Sequence, residues 1–324
     1  MLSRVAEAIY WMSRYLERAE NMARFLEVNW HMSLDHRPEK EFYQWEPLVS
    51  VTGDHALFAE RYQPATKQNV INFLSLDTDY SHSIISCLRA ARENARTVRE
   101  IISGELWEQI NMFHHMVEEV AGNPENLYIN PYEFCHDVKL RGMLLGGIAN
   151  DTLAHSEGWH FFRLGRFLER ADKTSRILDV KYFILLPDVN YVGTAYDDIQ
   201  WAALLRTTDA LNAYRQHYGR ITPRQVVKFL MLGRDFPRAI LHCLLNGQQS
   251  LHSISGSSVG TFHNKAERAL GHLVAQLSYT GTDDIFDKGL HEFTDQLQTE
   301  MNEVDNAIAE TFFGITFQAQ AQQQ

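Results

Sequence analysis

"RYLERAENMARFLEV", residues 14–28, is matched without a gap by "RFLERADKTSRILDV", residues 166–180. Identical residues fall at Arg14/Arg166, Leu16/Leu168, Glu17/Glu169, Arg18/Arg170, Ala19/Ala171, Arg24/Arg176, Leu26/Leu178 and Val28/Val180. Conservative pairs fall at Tyr15/Phe167, Glu20/Asp172, Phe25/Ile177 and Glu27/Asp179. Neither stretch contains Gly or Pro, and apolar residues recur at helical spacing, so each reads as a long amphipathic helix. In the first, Tyr15, Leu16, Ala19, Met22, Ala23 and Leu26 gather on one side, while Arg14, Glu17, Arg18 and Asn21 share another arc. In the second, Arg166, Glu169, Arg170 and Lys173 occupy the same arc, Asp172 lies just outside it, and Thr174 and Ser175 soften the apolar face. One helix written twice is the mark of a duplicated helical unit.

The rest of the chain is helical by pattern. The first Glu-Arg helix runs without a break to Pro38, and the second covers roughly Ser156 to Leu185 and stops before Pro187. Gly104, Gly122 with Pro124, and the Asn130-Pro131 and Thr222-Pro223 steps punctuate helices by ordinary start and stop rules. Single helices are expected over 197–218 and over 283–313, and the Gly146-Gly147 step argues against a long straight helix around it. Only "LYIN" (127–130) and "VNYVGTAY" (189–196) look extended. Weaker echoes pair "LRAA" (88–91) with "PRAI" (237–240), and "LGRFLERA" (164–171) with "LGRDFPRA" (232–239), where the Glu is lost. The expected architecture is an all-α, duplicated helical bundle of two pseudo-repeats, each contributing a long Glu-Arg helix. Residues 1–150 form the first repeat, 151–317 the second packed on it, and 318–324 ("AQAQQQ" ends the chain) a disordered tail.

Bulk properties exclude several function classes. A formal charge of −11 with no basic block leaves nothing to neutralise a phosphate backbone, so no nucleic-acid partner is expected. No apolar run reaches the roughly 18 residues that span a bilayer. Cys87, Cys135 and Cys243 are widely spaced, as befits reduced, buried thiols. Charged residues run through the first twenty positions, unlike a signal peptide, so a cytoplasmic location is expected.

The chemistry-bearing residues admit two readings. Glu and Arg three or four apart can pair along and between helices as a structural network. Alternatively Arg14, Arg18, Asn21, Arg166, Arg170 and Lys173 bind a carboxylate or phosphate, with Glu17 and Glu169 orienting the guanidinium groups or serving as catalytic candidates. Glu133-x-x-His136 and Glu157-x-x-His160 match the Glu-x-x-His element of di-iron bundles, and Asp151/His155 adds a polar pair. The two elements lie only 24 residues apart and lack partner glutamates on separate helices, so no metal is assigned. There is no P-loop, no GxGxxG after a strand and no GxSxG elbow, and no cofactor is implied. The Ser/Gly-rich "SISGSSVGTF" (253–262) and the aromatic "INPYEF" (129–134) and "PDVNYVGTAYDD" (187–198) read as connections, and Trp107, Met112, Phe113 and Met116 as core.

The stretches "MLSRVAEAIYWMSRYLERAENMARFLEV", "SCLRAARENARTVREIISGELWEQIN" and "SEGWHFFRLGRFLERADKTSRILDV" resemble the Alpha-E family, bacterial helical proteins with a Glu-Arg motif. The motif carries over to Glu17, Arg18, Glu169 and Arg170. The resemblance implies an all-helical fold and partnership with circularly permuted ATP-grasp ligases and transglutaminase-like proteins that make or modify peptide-like amides. It implies no catalytic role for any residue. The leading expectation is a helical accessory or scaffold protein of an ATP-grasp amide ligase system, which docks the ligase or presents a substrate. An enzyme with an Arg/Glu active site between the repeats is the alternative, and a metal-binding bundle the second.

Overall fold

The computed structural model describes residues 1–34, 42–185 and 195–314, and among these there is no strand. The helices of the first part are α1 (Ser3–Leu34), α2 (Phe42–Thr52), α3 (His55–Arg61), α4 (Lys67–Ser75), α5 (Ile84–Thr97), α6 (Gly104–Gly122), α7 (Glu125–Ile129) and α8 (Tyr132–Thr152). Those of the second are α9 (Glu157–Leu185), α10 (Ala195–Thr207), α11 (Leu211–His217), α12 (Pro223–Leu232), α13 (Ile240–Ser255), α14 (Lys265–Tyr279), α15 (Thr282–Lys288) and α16 (Leu290–Ile308). A π-helical turn, Ala309–Phe313, follows.

Local chemistry explains the starts. Thr66, Ser83, Ser103, Thr222 and Asn264 each accept a hydrogen bond from the backbone N–H three residues on, which satisfies an otherwise orphaned donor. At the C-terminus of α13, Gly256 takes φ +68°, the left-handed conformation that glycine adopts without steric cost.

The two Glu-Arg helices, α1 and α9, form the centre and pack on each other. Helices α5, α8 and α10 cover α1, and α13, α16 and α2 cover α9. From Met12 to Glu27 only Tyr15 of α1 is more than marginally exposed, so the helix is buried on all sides and its charged residues have no solvent face. Small residues permit the close crossing. A Cβ on Gly165 would lie 2.4 Å from Ser13 Oγ and 2.5 Å from the Tyr10 carbonyl oxygen. Gly165→Ala is therefore expected to destabilise by about 1–3 kcal/mol, because a backbone carbonyl cannot step aside and overpacking outweighs the gain in helix propensity. Gly147→Ala has no heavy atom within 4 Å of the new methyl and should stabilise by about 0.5–1 kcal/mol. Chemical denaturation of the two variants checks both signs.

The structure corrects several expectations. Helix α8 runs unbroken through Gly146-Gly147, because Gly142 and Gly146 are where the side chains of Glu20 and Arg166 press against it. "LYIN" is largely helical, as part of α7, and "INPYEF" already enters α8 at Tyr132. The helix expected over 197–218 breaks at Asp209, which takes φ +51°. The helix expected over 283–313 breaks at Gly289, with φ +99°. Among the supposed core residues of α6, Phe113 is buried, Trp107 and Met116 are half-buried, and Met112 is exposed. Residues 189–194 of "VNYVGTAY" and the tail 318–324 lie outside the described residues, while Ala195 and Tyr196 begin α10.

Candidate functional site

The matched charges of α1 and α9 exchange partners across the crossing. Arg18 takes Glu169 with both arms of its fork, Nε to Oε1 at 2.6 Å and Nη2 to Oε2 at 3.0 Å. Arg170 takes Glu17 in the same way, Nε to Oε1 at 2.8 Å and Nη2 to Oε2 at 2.7 Å. Arg14 adds a bond to Glu169 Oε2 at 2.8 Å, and its counterpart Arg166 adds one to Glu17 Oε2 at 3.2 Å. Even the fourth position corresponds: Asn21 donates to Glu17 Oε1 at 3.0 Å, and Lys173 lies 3.5 Å from Glu169 Oε1. The structure thus brings together all eight residues singled out from the motif: the arginines pair across the crossing, and Asn21 and Lys173 each join the glutamate of their own helix.

A second tier extends the cluster. Glu20 pairs with Arg24 at 2.8 Å, and Asp172 with Arg176 at 3.1 Å and Lys173 at 2.8 Å. Arg238, on the segment before α13, pairs with Glu17 at 3.2 Å and with Glu20, and donates to Asn21 Oδ1 at 3.1 Å. Arg24 also reaches Asp209 at 2.6 Å and the Thr207 carbonyl at 3.1 Å. That contact accounts for the break between α10 and α11: the turn at Asp209 delivers a carboxylate and a free helix-end carbonyl to one buried guanidinium. At the other end Arg14 pairs with Asp305 of α16 and donates to Tyr10 Oη, which donates in turn to Asp305 at 2.8 Å.

The electrostatics follow from burial and pairing. Burial is the largest single influence on Glu17 and pushes its pKa up, but Arg170, Arg238 and Arg166 together reverse it and hold the carboxyl well below the usual range. Arg18, Lys173 and Arg14 do the same for Glu169, and Lys173 and Arg176 for Asp172. Arg18 and Arg170 are correspondingly raised, the carboxylates overcoming their own burial. Arg238 goes the other way, down to about 10, through burial and the neighbouring Arg24 cation, although it is ion-paired. Four arginines, 24, 166, 170 and 238, share Glu17 and Glu20 here, so cation repulsion is real; at neutral pH Arg238 still carries its charge. Cys87 and Cys243 flank the cluster as neutral thiols, pushed up to about 12 by burial.

The two thiols have similar local settings. Cys87 and Cys243 each sit four residues past a helix N-cap, and each thiol donates to the carbonyl six residues back, at 3.8 and 3.4 Å. The arginines of "LRAA" and "PRAI" stand in different surroundings. Arg89 is exposed and binds Glu118 of α6, whereas Arg238 is buried in the cluster.

Chemically, both oxygens of Glu17 and Glu169 are committed to charged donors, and a carboxylate held this low is a weak base at neutral pH. The forks of Arg18 and Arg170 are likewise filled by the protein's own carboxylates, while Arg166 gives Glu17 its Nε. The metal-type residues are not gathered. Glu133 is exposed, His136 stacks on Tyr132, Glu157 binds the N-terminal amine at 2.7 Å, and His160 packs edge-on to Trp159. His155 stacks on Trp159 rather than pairing with Asp151. No group of three or more His, Cys, Asp or Glu among the described residues is placed to hold a metal ion. Sequence reasoning missed Glu20, Arg24 and Arg238 as cluster members, although Arg24/Arg176 and Glu20/Asp172 recur in the matched stretches. Asp209, Asp305 and Tyr10 carry no signal of their own.

Fold and cluster define an all-helical domain organised around a buried Glu-Arg exchange. The chain belongs to the Alpha-E family, described as a predicted alpha-helical domain with a conserved ER motif, which matches residues 1–313. It is also similar to uncharacterized proteins of Mycobacterium bovis and of two strains of Mycobacterium tuberculosis, 24% identical over 272 residues. The match covers 79% of this chain but about 30% of the length of those relatives. No solved structure matches the chain. No helix among the described residues is long and apolar enough to cross a membrane.

Proposed function

We propose that this protein is a helical accessory or scaffold module of an ATP-grasp amide or peptide ligase system, which docks the ligase or presents its substrate. The observation that carries the reading is the spent motif: Glu17, Arg18, Glu169 and Arg170 neutralise one another inside the protein and leave no basic carboxylate and no open fork on either of these two arginines. A motif used in this way builds a rigid body, and the chemistry falls to a partner. The mycobacterial relatives are in keeping with this, since the region they share with the chain is a minor part of a longer polypeptide. We read the reciprocal pairing as the product of a duplicated helical unit, and the free, buried cysteines as those of a cytoplasmic protein. A transglutaminase-like protein is the second expected partner.

The test is co-elution of the purified chain with an ATP-grasp ligase encoded beside it. A stable complex is expected, with the chain alone turning over no substrate and the ligase gaining activity when it is added. Separate elution with no change in ligase rate, or turnover by the chain alone, overturns the reading.

A further inference from the structure

One arginine of α9 is set apart from the exchange. Arg163 lies half-buried with its guanidinium carbon 4.8 Å from the Trp159 ring centre and 5.1 Å from that of Phe167. The stack continues in both directions along the helix: His155 lies on Trp159 at 3.8 Å, and Arg170 reaches over Phe167 at 6.0 Å. Nη2 of Arg163 donates to Asn246 Oδ1 of α13 at 2.7 Å, and Asn246 donates to the His242 carbonyl at 2.9 Å, so the fork is oriented by a neutral partner. No carboxylate of the described residues lies within ion-pair distance of it. Burial accordingly draws its pKa below the ordinary arginine value with nothing to draw it back, the reverse of Arg18 and Arg170. Beside it, Nδ1 of His160 is buried with no hydrogen-bond partner. Holding a guanidinium between two rings fixes its donors at the cost of hydration, which is how a fork is prepared for a planar anion.

We propose that Arg163, positioned by Asn246 and clasped by Trp159 and Phe167, anchors a carboxylate-binding site on the α9–α13 face, separate from the Glu-Arg cluster. A single guanidinium with uncharged neighbours matches a monoanion in charge, and the planar fork matches a carboxylate in shape. The flanking rings favour a carboxylate attached to an apolar or peptide group. The site stands whether or not the chain serves a ligase.

Titration of the full chain, followed by the Trp159 indole N–H resonance, tests it with three probes: N-acetylalanine, its neutral amide, and inorganic phosphate. A saturable shift with N-acetylalanine on the order of millimolar is expected, with none from the amide and a weaker one from phosphate. Arg163→Gln should weaken the carboxylate by about tenfold or more with a nearly unchanged melting temperature. Arg163→Lys, which keeps the charge but not the fork, should weaken it severalfold and serves if the glutamine variant does not fold. Tighter binding of phosphate overturns the carboxylate assignment. No saturation in the native chain, or equal affinity in the variants, overturns the site.

Discussion

Glu169→Gln is expected to lower stability by about 3–5 kcal/mol, a fall in melting temperature of roughly 4–7 °C for a chain of this size. The substitution preserves shape and removes one charge, but that charge is the shared partner of Arg18, Arg14 and Lys173, and Glu169 is fully buried. Arg18 would be left without a carboxylate, while Arg14 and Lys173 would keep only Asp305 and Asp172, and an uncompensated buried charge costs far more than a surface pair contributes. Glu118→Gln is the contrast. It removes the partner of Arg89 on an exposed face and should cost no more than about 1 kcal/mol. Thermal denaturation of the two variants side by side measures the difference. Equal, small losses would sink the structural account of the motif. They would also revive the enzyme alternative, in which Glu17→Gln abolishes turnover without touching stability.

The second large effect is acid sensitivity. Glu17, Glu169 and Asp172 all have their pKa lowered in the folded protein, from ordinary values of 4.5, 4.5 and 3.8. A lowered carboxyl contributes stability that is complete above its unfolded pKa and drains away as pH falls toward the folded one. The loss should therefore begin below about pH 5 and steepen toward pH 3, at about 1.4 kcal/mol per pH unit for each group that takes up a proton only on unfolding. Melting temperature recorded from pH 7 to pH 3 gives the slope. In Glu17→Gln/Glu169→Gln, less stable at neutral pH, much of that slope should vanish. A slope that survives intact would place the acid-labile groups elsewhere.

What the sequence makes legible follows from the range of each interaction. Helix α9 was expected over 156–185 and occupies Glu157–Leu185, because its periodicity and the following proline are written locally. The Glu-Arg arc was visible for the same reason. The contest between a filled fork and an open one was not, since Arg18 and Glu169 are 151 residues apart and only the folded chain shows that they meet. Asp209 shows the limit from the other side. Its neighbours read as continuous helix, and the break there serves Arg24, 185 residues away. The Gly146-Gly147 step misled for a related reason: it weakens a helix by propensity, yet the room at Gly146 admits Arg166, as that at Gly142 admits Glu20. Arg163 escaped notice because an arginine without an acidic neighbour in sequence looks like any surface cation.

The crosswise pairing also says how such a motif is inherited. Each glutamate is the counter-ion of an arginine on the other helix, so a change at position 17 is felt at 170 and 166, and a change at 169 at 18 and 14. No single replacement in one helix can be absorbed within that helix. A position such as Leu16 or Leu168, where only packing is at stake, is free of this constraint, but Glu17 and Arg170 must be kept or exchanged as a pair. The ER signature that defines the family is, on this account, one composite character recorded in two places.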